Sequence, residues 1–159
     1  MAKALTALEI SGFIEKLKTY PYLVSVGETV LAPLDSPPSV ERDTATSDVT
    51  LYETSGDTEA SFLTKNDMKL TISTRAVDAA IALLDSIKVG DNMMDSTRKK
   101  TITLVPITGD EGEKTITFTD AYLDASGSYE PKEGRAPNVV QLSFVCKANK
   151  DTGKPFTYA

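Results

Sequence analysis

Residues 139–148 read Val139-Val-Gln-Leu-Ser-Phe-Val-Cys-Lys-Ala148. Val140, Leu142, Phe144 and Cys146 alternate with Gln141, Ser143 and Val145. A strand sends successive side chains to opposite faces, so this period of two gives one apolar face and one mixed face. The same texture runs from Thr101 to Tyr158. Lys114–Leu123 sets Ile116 and Phe118 against Thr115, Thr117 and Thr119. Lys100–Ile107 reads as a strand whose Pro106 points to an edge or a bulge, because proline cannot donate to a ladder. Gly109–Gly112 and Asp151–Lys154 read as turns, the second leading into Pro155–Tyr158. Ala125–Pro137, with Gly127, Pro131 and Gly134, reads as a loop.

Upstream, Asp67–Thr74 alternates Met68, Leu70 and Ile72 with Lys69, Thr71 and Ser73, which predicts another half-buried strand. Thr74 is then placed to cap a helix over Arg75–Lys88. Val77, Ala80, Ile81, Leu84 and Ile87 fall on one stripe of that helix, and Gly90 follows as a left-handed terminator. Tyr22–Val26 and Thr29–Leu31 read as short strands around Gly27-Glu28, and Val49–Thr54 as a further one. Gly56–Glu59 reads as a turn, and Phe62 and Leu63 stand in a polar, loop-like surround. Pro33, Pro37 and Pro38 exclude a helix interior or a central strand, so residues 33–48 read as a Pro-rich extended loop or arm. Near the start, Ser11 could cap a helix over Phe13–Thr19, which Pro21 would end.

These elements predict a mainly β (α+β) fold in a single domain over residues 1–159. Two packed antiparallel sheets, as a β-sandwich or a partly closed barrel, are flanked by one helix at about 75–88. A length of 159 residues suits one such core.

Composition excludes more than it assigns. The chain has no His and one Cys. That removes Ser–His and Cys–His nucleophile pairs and Cys/His zinc sites. Cys146 reads as a small buried hydrophobe. No phosphate-cradling G-x-x-x-x-G-K-[ST] loop is present. Asp110-Glu-Gly-Glu113 lacks the ligand spacing of a calcium loop. No catalytic, cofactor-binding or metal-binding residue is assigned, and no cofactor is expected. The net charge of −6 leaves Arg98-Lys99-Lys100 as the single basic cluster, which is too small for an electrostatic grip on nucleic acid. No apolar run approaches the ~18 residues of a membrane span, and the N-terminal residues do not have the pattern of a secretory signal.

From Ser47 to Tyr158 the chain resembles the tail tube (major tail) proteins of tailed bacteriophages. The resemblance is carried by Asp48-Val-Thr-Leu-Tyr-Glu-Thr54 and by Lys65-Asn-Asp-Met-Lys-Leu-Thr-Ile-Ser-Thr74 running into Arg75–Lys88 and Gly90-Asp-Asn92. Its closing pieces are Leu142-Ser-Phe-Val-Cys-Lys-Ala148 and Asp151-Thr-Gly-Lys-Pro-Phe-Thr-Tyr158. Residues 1–46 carry no part of it. It implies a non-enzymatic virion protein, made in the host bacterial cytoplasm, that forms hexameric rings. The rings stack head-to-tail into a hollow tube, through which double-stranded DNA passes without specific binding. Implied partners are further copies of the chain and other tail proteins: tape measure, terminator, and baseplate or tip. On this reading Pro37, Pro38, Val40, Phe62, Leu63, Phe156 and Tyr158 are subunit-interface candidates. Lys69, Thr71, Thr117 and Thr119, on the polar strand faces, are lumen-facing candidates. The alternatives are a tail terminator, the inner tube of a contractile injection system or bacteriocin, and a ligand-binding β-sandwich module.

Overall fold

The computed structural model describes residues 22–50, 53, 56–107, 114–131 and 138–159. The helix read over Phe13–Thr19 and the turn at Gly109–Gly112 lie outside these residues. The elements in chain order are β1 (Tyr22–Val26), β2 (Thr29–Val30), β3 (Ser39–Thr50), β4 (Thr58–Thr74), α1 (Val77–Asp85), β5 (Lys100–Pro106), β6 (Ile116–Glu130), β7 (Val139–Cys146) and β8 (Thr157–Tyr158).

The mainly β class with one flanking helix is what the chain adopts. The two separate sheets expected from sequence are instead one sheet of eight antiparallel strands, in the order β2-β1-β5-β6-β7-β4-β3, with β8 beside β6. The cause is the length of β6. The reading stopped this strand at Leu123, yet it runs 15 residues to Glu130. Its first part pairs with β5 (Ile102↔Phe118) and its second with β7 (Leu123↔Phe144, Gly127↔Leu142). Register shifts after Phe118 and after Leu123 bend the strand. One bent strand therefore carries the ladder around the core, where two straight hairpins would have made two layers.

The sheet is not closed into a barrel, but residues 31–35 bridge its two ends. The Leu31 amide donates to the Val24 carbonyl at 2.9 Å, and the Asp35 amide to the Ser73 carbonyl at 2.9 Å. The Arg75 amide returns a bond to the Pro33 carbonyl at 2.8 Å. One short segment thus hydrogen-bonds β1 on one side and β4 on the other.

The predicted alternation fixes the core. Val24 and Val26, Ile102 and Leu104, Phe118 and Ala121, Leu70 and Ile72, and Val140, Leu142, Phe144 and Cys146 all point inward and are buried. The spacing of three from Phe118 to Ala121 reflects the bulge between them, which restores inward parity after one extra residue. Pro106 ends β5 next to Tyr22, beyond the last β5–β6 pair at Leu104, so its missing N–H interrupts no ladder on that side.

Helix α1 is shorter than predicted, Val77–Asp85 rather than Arg75–Lys88. Thr74 does not cap it. The Thr74 hydroxyl accepts from the Ala76 amide at 3.0 Å and donates to the Pro33 carbonyl at 3.3 Å, which ties the helix start to the 31–35 bridge. The buried stripe is also rotated from the predicted one. Ala80 is fully buried, with Val77, Ala79, Leu83 and Leu84 packed on the core, while Ile81 is exposed.

Gly127 lies under that helix. A Cβ there would meet the Gln141 carbonyl oxygen at 3.0 Å and Leu84 Cδ2 at 3.3 Å, so a side chain would crowd the seat of α1 on β6 and β7. Gly127→Val is expected to lower the unfolding free energy by about 1–3 kcal/mol, the usual cost of overpacking. Urea unfolding checks this; Gly127 lies outside the positive-φ region, so the loss reads crowding against Gln141 and Leu84 rather than backbone strain.

Candidate functional site

The most exposed structure on the molecule is the β3–β4 hairpin. Residues 33–48, expected from sequence to form an extended loop or arm, contain the start of a strand that begins at Ser39 and continues for 12 residues. Residues 60–65, read as loop-like, belong to the 17-residue strand β4. Antiparallel pairing runs from Ser39↔Thr71 to Thr50↔Thr58. Strand β7 accompanies β4 only from Met68 to Thr74, so residues 58–66 leave the sheet with β3 as their one strand partner among the described residues. The result is a projecting two-stranded ribbon, and every residue of β3 is exposed.

A polar clamp holds the base of the ribbon. Asp67 is 5 % exposed. Its carboxylate accepts from the Ala148 amide at 3.0 Å and from Lys147 Nζ at 3.1 Å. Beside it, Arg42 donates to the Asn66 side-chain carbonyl at 3.1 Å, and Asn66 donates to the Gly153 carbonyl at 3.0 Å. The ribbon is thereby tied to the turn after β7, the Asp151–Lys154 turn of the sequence reading. One step outward, Lys65 pairs with Asp43 at 2.6 Å, and this contact raises the lysine pKa. Such an exposed pair adds little stability, though it does align the two strands.

Among the interface candidates, Phe62 and Leu63 lie on this ribbon, 61 % and 54 % exposed, whereas Val40 pairs with Leu70, where β4 still runs beside β7. Phe62 shares a ribbon face with Val49 and Ala60, since Phe62 pairs with Ser47 and Ala60 with Val49. Pro37, exposed, and Pro38, half-buried, stand just before β3. Phe156 and Tyr158 lie elsewhere, along β6. The Phe156 ring sits 6.4 Å from that of the buried Phe118, and Lys114 Nζ lies 5.2 Å over the Tyr158 ring. The seven candidates therefore fall in three places: the ribbon, the start of β3 and the β8 edge of β6.

The four lumen candidates all lie on the sheet face away from the core. Lys69 and Thr71 pair across β7 with Val145 and Ser143, and Thr117 pairs with Thr103 and Thr157. Thr119 stands in the β6 bulge and is exposed. With Ser25, Thr103, Gln141 and Ser143, this face is rich in hydroxyls, and Lys69 on it stands opposite Glu41.

A cleft of about 330 Å³ opens between α1, β6 and β7. Leu83, Leu123 and Phe144 form its walls, and Ser86, Arg98 and Lys100 its rim. Arg98 pairs with Asp91 at 2.6 Å. The sequence reading left the cleft and the Asp67 clamp unseen, since both are made by residues far apart in the chain. The ribbon had a local signal, the unbroken run Ser39–Thr50 without Gly or Pro. Among the described residues, no group of three or more His, Cys, Asp or Glu could hold a metal, and no helix is long and apolar enough to cross a membrane.

Cys146 is buried behind the clamp. Desolvation, with the Asp67 charge adding to it, pushes its thiol up to about 12, so the reactive thiolate is scarce at pH 8. The folded protein is expected to resist Ellman's reagent at pH 8 and to react fully in urea. Asp67→Ala removes the acceptor of a buried amide and is expected to cost about 1.5–3 kcal/mol, with faster labelling of Cys146 as the second readout.

No family model matches the sequence, and no curated protein matches it. Solved structures with a similar fold do exist. One is the sheath/tube terminator of the PVC extracellular contractile injection system in its extended state, with a TM-score of 0.57 at 16 % identity, covering 90 % of this chain and 96 % of that one. Another is the tube-terminating cap of the anti-feeding prophage, with a TM-score of 0.56 at 15 % identity, covering 100 % and 95 %. A chain in the virion of a native gene transfer agent particle gives a TM-score of 0.52 at 11 % identity, covering 87 % and 95 %. At these identities the likeness is one of fold: the chain has the fold found in components of contractile injection and gene-transfer particles.

Proposed function

We propose that this chain is a structural subunit of a phage-like tail that assembles with copies of itself into stacked hexameric rings, forming a tube for double-stranded DNA. The observation that carries the reading is the β3–β4 ribbon. A two-stranded ribbon is at best marginally stable alone in water, and β3, at the end of the strand order, offers an unpaired backbone edge. Contact with a neighbouring subunit satisfies both. Such a contact joins different surfaces of two copies, and heterologous contacts close into rings or propagate as filaments. The fold neighbours come from particles of this kind, and the resemblance from Ser47 to Tyr158 agrees with them.

The hydroxyl-rich face carrying Thr71, Thr117 and Thr119 suits the lumen. DNA is held mainly through its phosphates by Lys and Arg; on this face hydroxyls predominate and its Lys69 stands opposite Glu41. No step of this role needs catalysis. Its setting is the virion tail, where other tail proteins cap the tube's ends and set its length. A terminator at one end of the tube is the second reading. It is favoured by the fold neighbours described as a terminator and a terminating cap, and it predicts a single ring that does not stack.

Negative-stain electron microscopy across a concentration series tests the proposal. Hollow rods are the expected result; single rings at every concentration would support the terminator, and monomers throughout would overturn both. Replacing residues 46–64 by Asn-Gly, a tight-turn sequence, is expected to leave a folded body that forms no rods. Once tubes are in hand, Thr117→Lys with Thr119→Lys is expected to slow DNA exit without blocking assembly, and unchanged ejection kinetics would remove that face from the lumen.

A further inference from the structure

The ribbon and the cleft are complementary, and one chain cannot bring them together. On the ribbon, Phe62 is exposed on the face it shares with Val49 and Ala60, and the acidic residues Asp48, Glu53 and Asp57 nearby are exposed too. Residues 46–64 contain no Lys or Arg. The cleft offers apolar walls at Leu83, Leu123 and Phe144. Lys100 stands exposed at its rim, with no carboxylate partner among the described residues, while Arg98 beside it is paired with Asp91 at 2.6 Å. An apolar knob in an acidic surround thus matches an apolar socket with a basic rim.

Distance excludes a contact within the chain. Phe144, in the cleft wall, pairs with Leu70 on β4. Phe62 lies eight residues further along the same strand, at a rise of about 3.3 Å per residue, so the knob projects roughly 25 Å from its own socket. The ribbon leaves the sheet at the Asp67 clamp, whereas α1 begins beyond Thr74, the opposite end of β4. The occupant with a matching knob is a second copy of this chain.

We infer that Phe62, on the ribbon face it shares with Val49 and Ala60, seats in the cleft between α1 and β6 of the next subunit, with the acidic ribbon residues facing Lys100. This rests on the self-assembly proposed above and names the surfaces that make it. Each copy presents its knob on one side and its socket on another, so the contact is heterologous and leaves both ends of any open assembly ready to add subunits. Buried aromatic residues dominate such interfaces, while charged rims set approach and register.

Cross-linking between two single-site variants tests the contact. Native Cys146 is buried and leaves the background low. Ala60→Cys, on the Phe62 face of the ribbon, and Thr97→Cys, at the cleft, are mixed under assembling conditions and treated with a short bis-maleimide. Covalent dimer is expected from the mixture and not from either variant alone. Phe62→Ser is expected to raise the critical concentration for assembly about thirtyfold, the effect of losing one buried anchor. Lys100→Glu is expected to raise it too, and less so at high salt. Rods or rings that form without cross-linking the mixture would overturn this socket and leave self-assembly standing. Absence of any assembly would overturn both.

Discussion

Each peptide group along the outer edge of β3 carries a donor or an acceptor that no described residue of its own chain meets. Backbone groups must be bonded to protein or to water, and an exposed edge is a template for another strand. Natural edges are usually short or blunted. This one is 12 residues long and unbroken by proline. It is also stiffened from within, by the Lys65–Asp43 pair and the Ser61–Asp48 hydrogen bond at 2.6 Å. Its charged side chains disfavour indiscriminate edge-to-edge pairing. Most other features of the molecule hold this edge in place or complement it.

The body is built to hold the ribbon at a fixed angle. A one-sided apolar face on every long strand gives a single core, and the bent β6 wraps the ladder around it. Residues 31–35 join the two ends of the sheet, so β4 is gripped at Ser73–Arg75 by the bridge and at Asp67 by the clamp. Between those points it pairs with β7 on one side and β3 on the other. A strand fixed at two positions transmits its direction to the part that projects. Removing the apolar core would unfold the chain; loosening the clamp would leave it folded and release the direction of the ribbon.

Much of this was legible in the sequence because the period of two is local. Val140, Leu142, Phe144 and Cys146, and Met68, Leu70 and Ile72, could be assigned to the core from their spacing alone, as could β1 and the helix. The reading failed where the decisive neighbours are distant. Residues Ser126-Gly-Ser128 look like loop composition, and only the approach of Leu84 and Gln141 explains a glycine inside a strand. Ile81 fits the helical stripe on paper, and the packing of α1 on the core leaves it exposed. Pro37 and Pro38 lent a loop-like character to the whole of residues 33–48, although their restriction on the backbone stops where β3 starts at Ser39. The Asp67 clamp joins residues about 80 apart in the chain, and no spacing rule could have paired them.

The central claim is that the ribbon edge is unsatisfied in the single subunit and covered in the assembly. Hydrogen–deuterium exchange on dilute monomer and on assembled material measures this directly. The account predicts fast exchange of the Ser39–Thr50 amides that point away from β4 in the monomer and strong protection once rods form, with β7 protected in both. Ribbon amides that remain unprotected in the assembly, or that are already protected in the monomer, would contradict it.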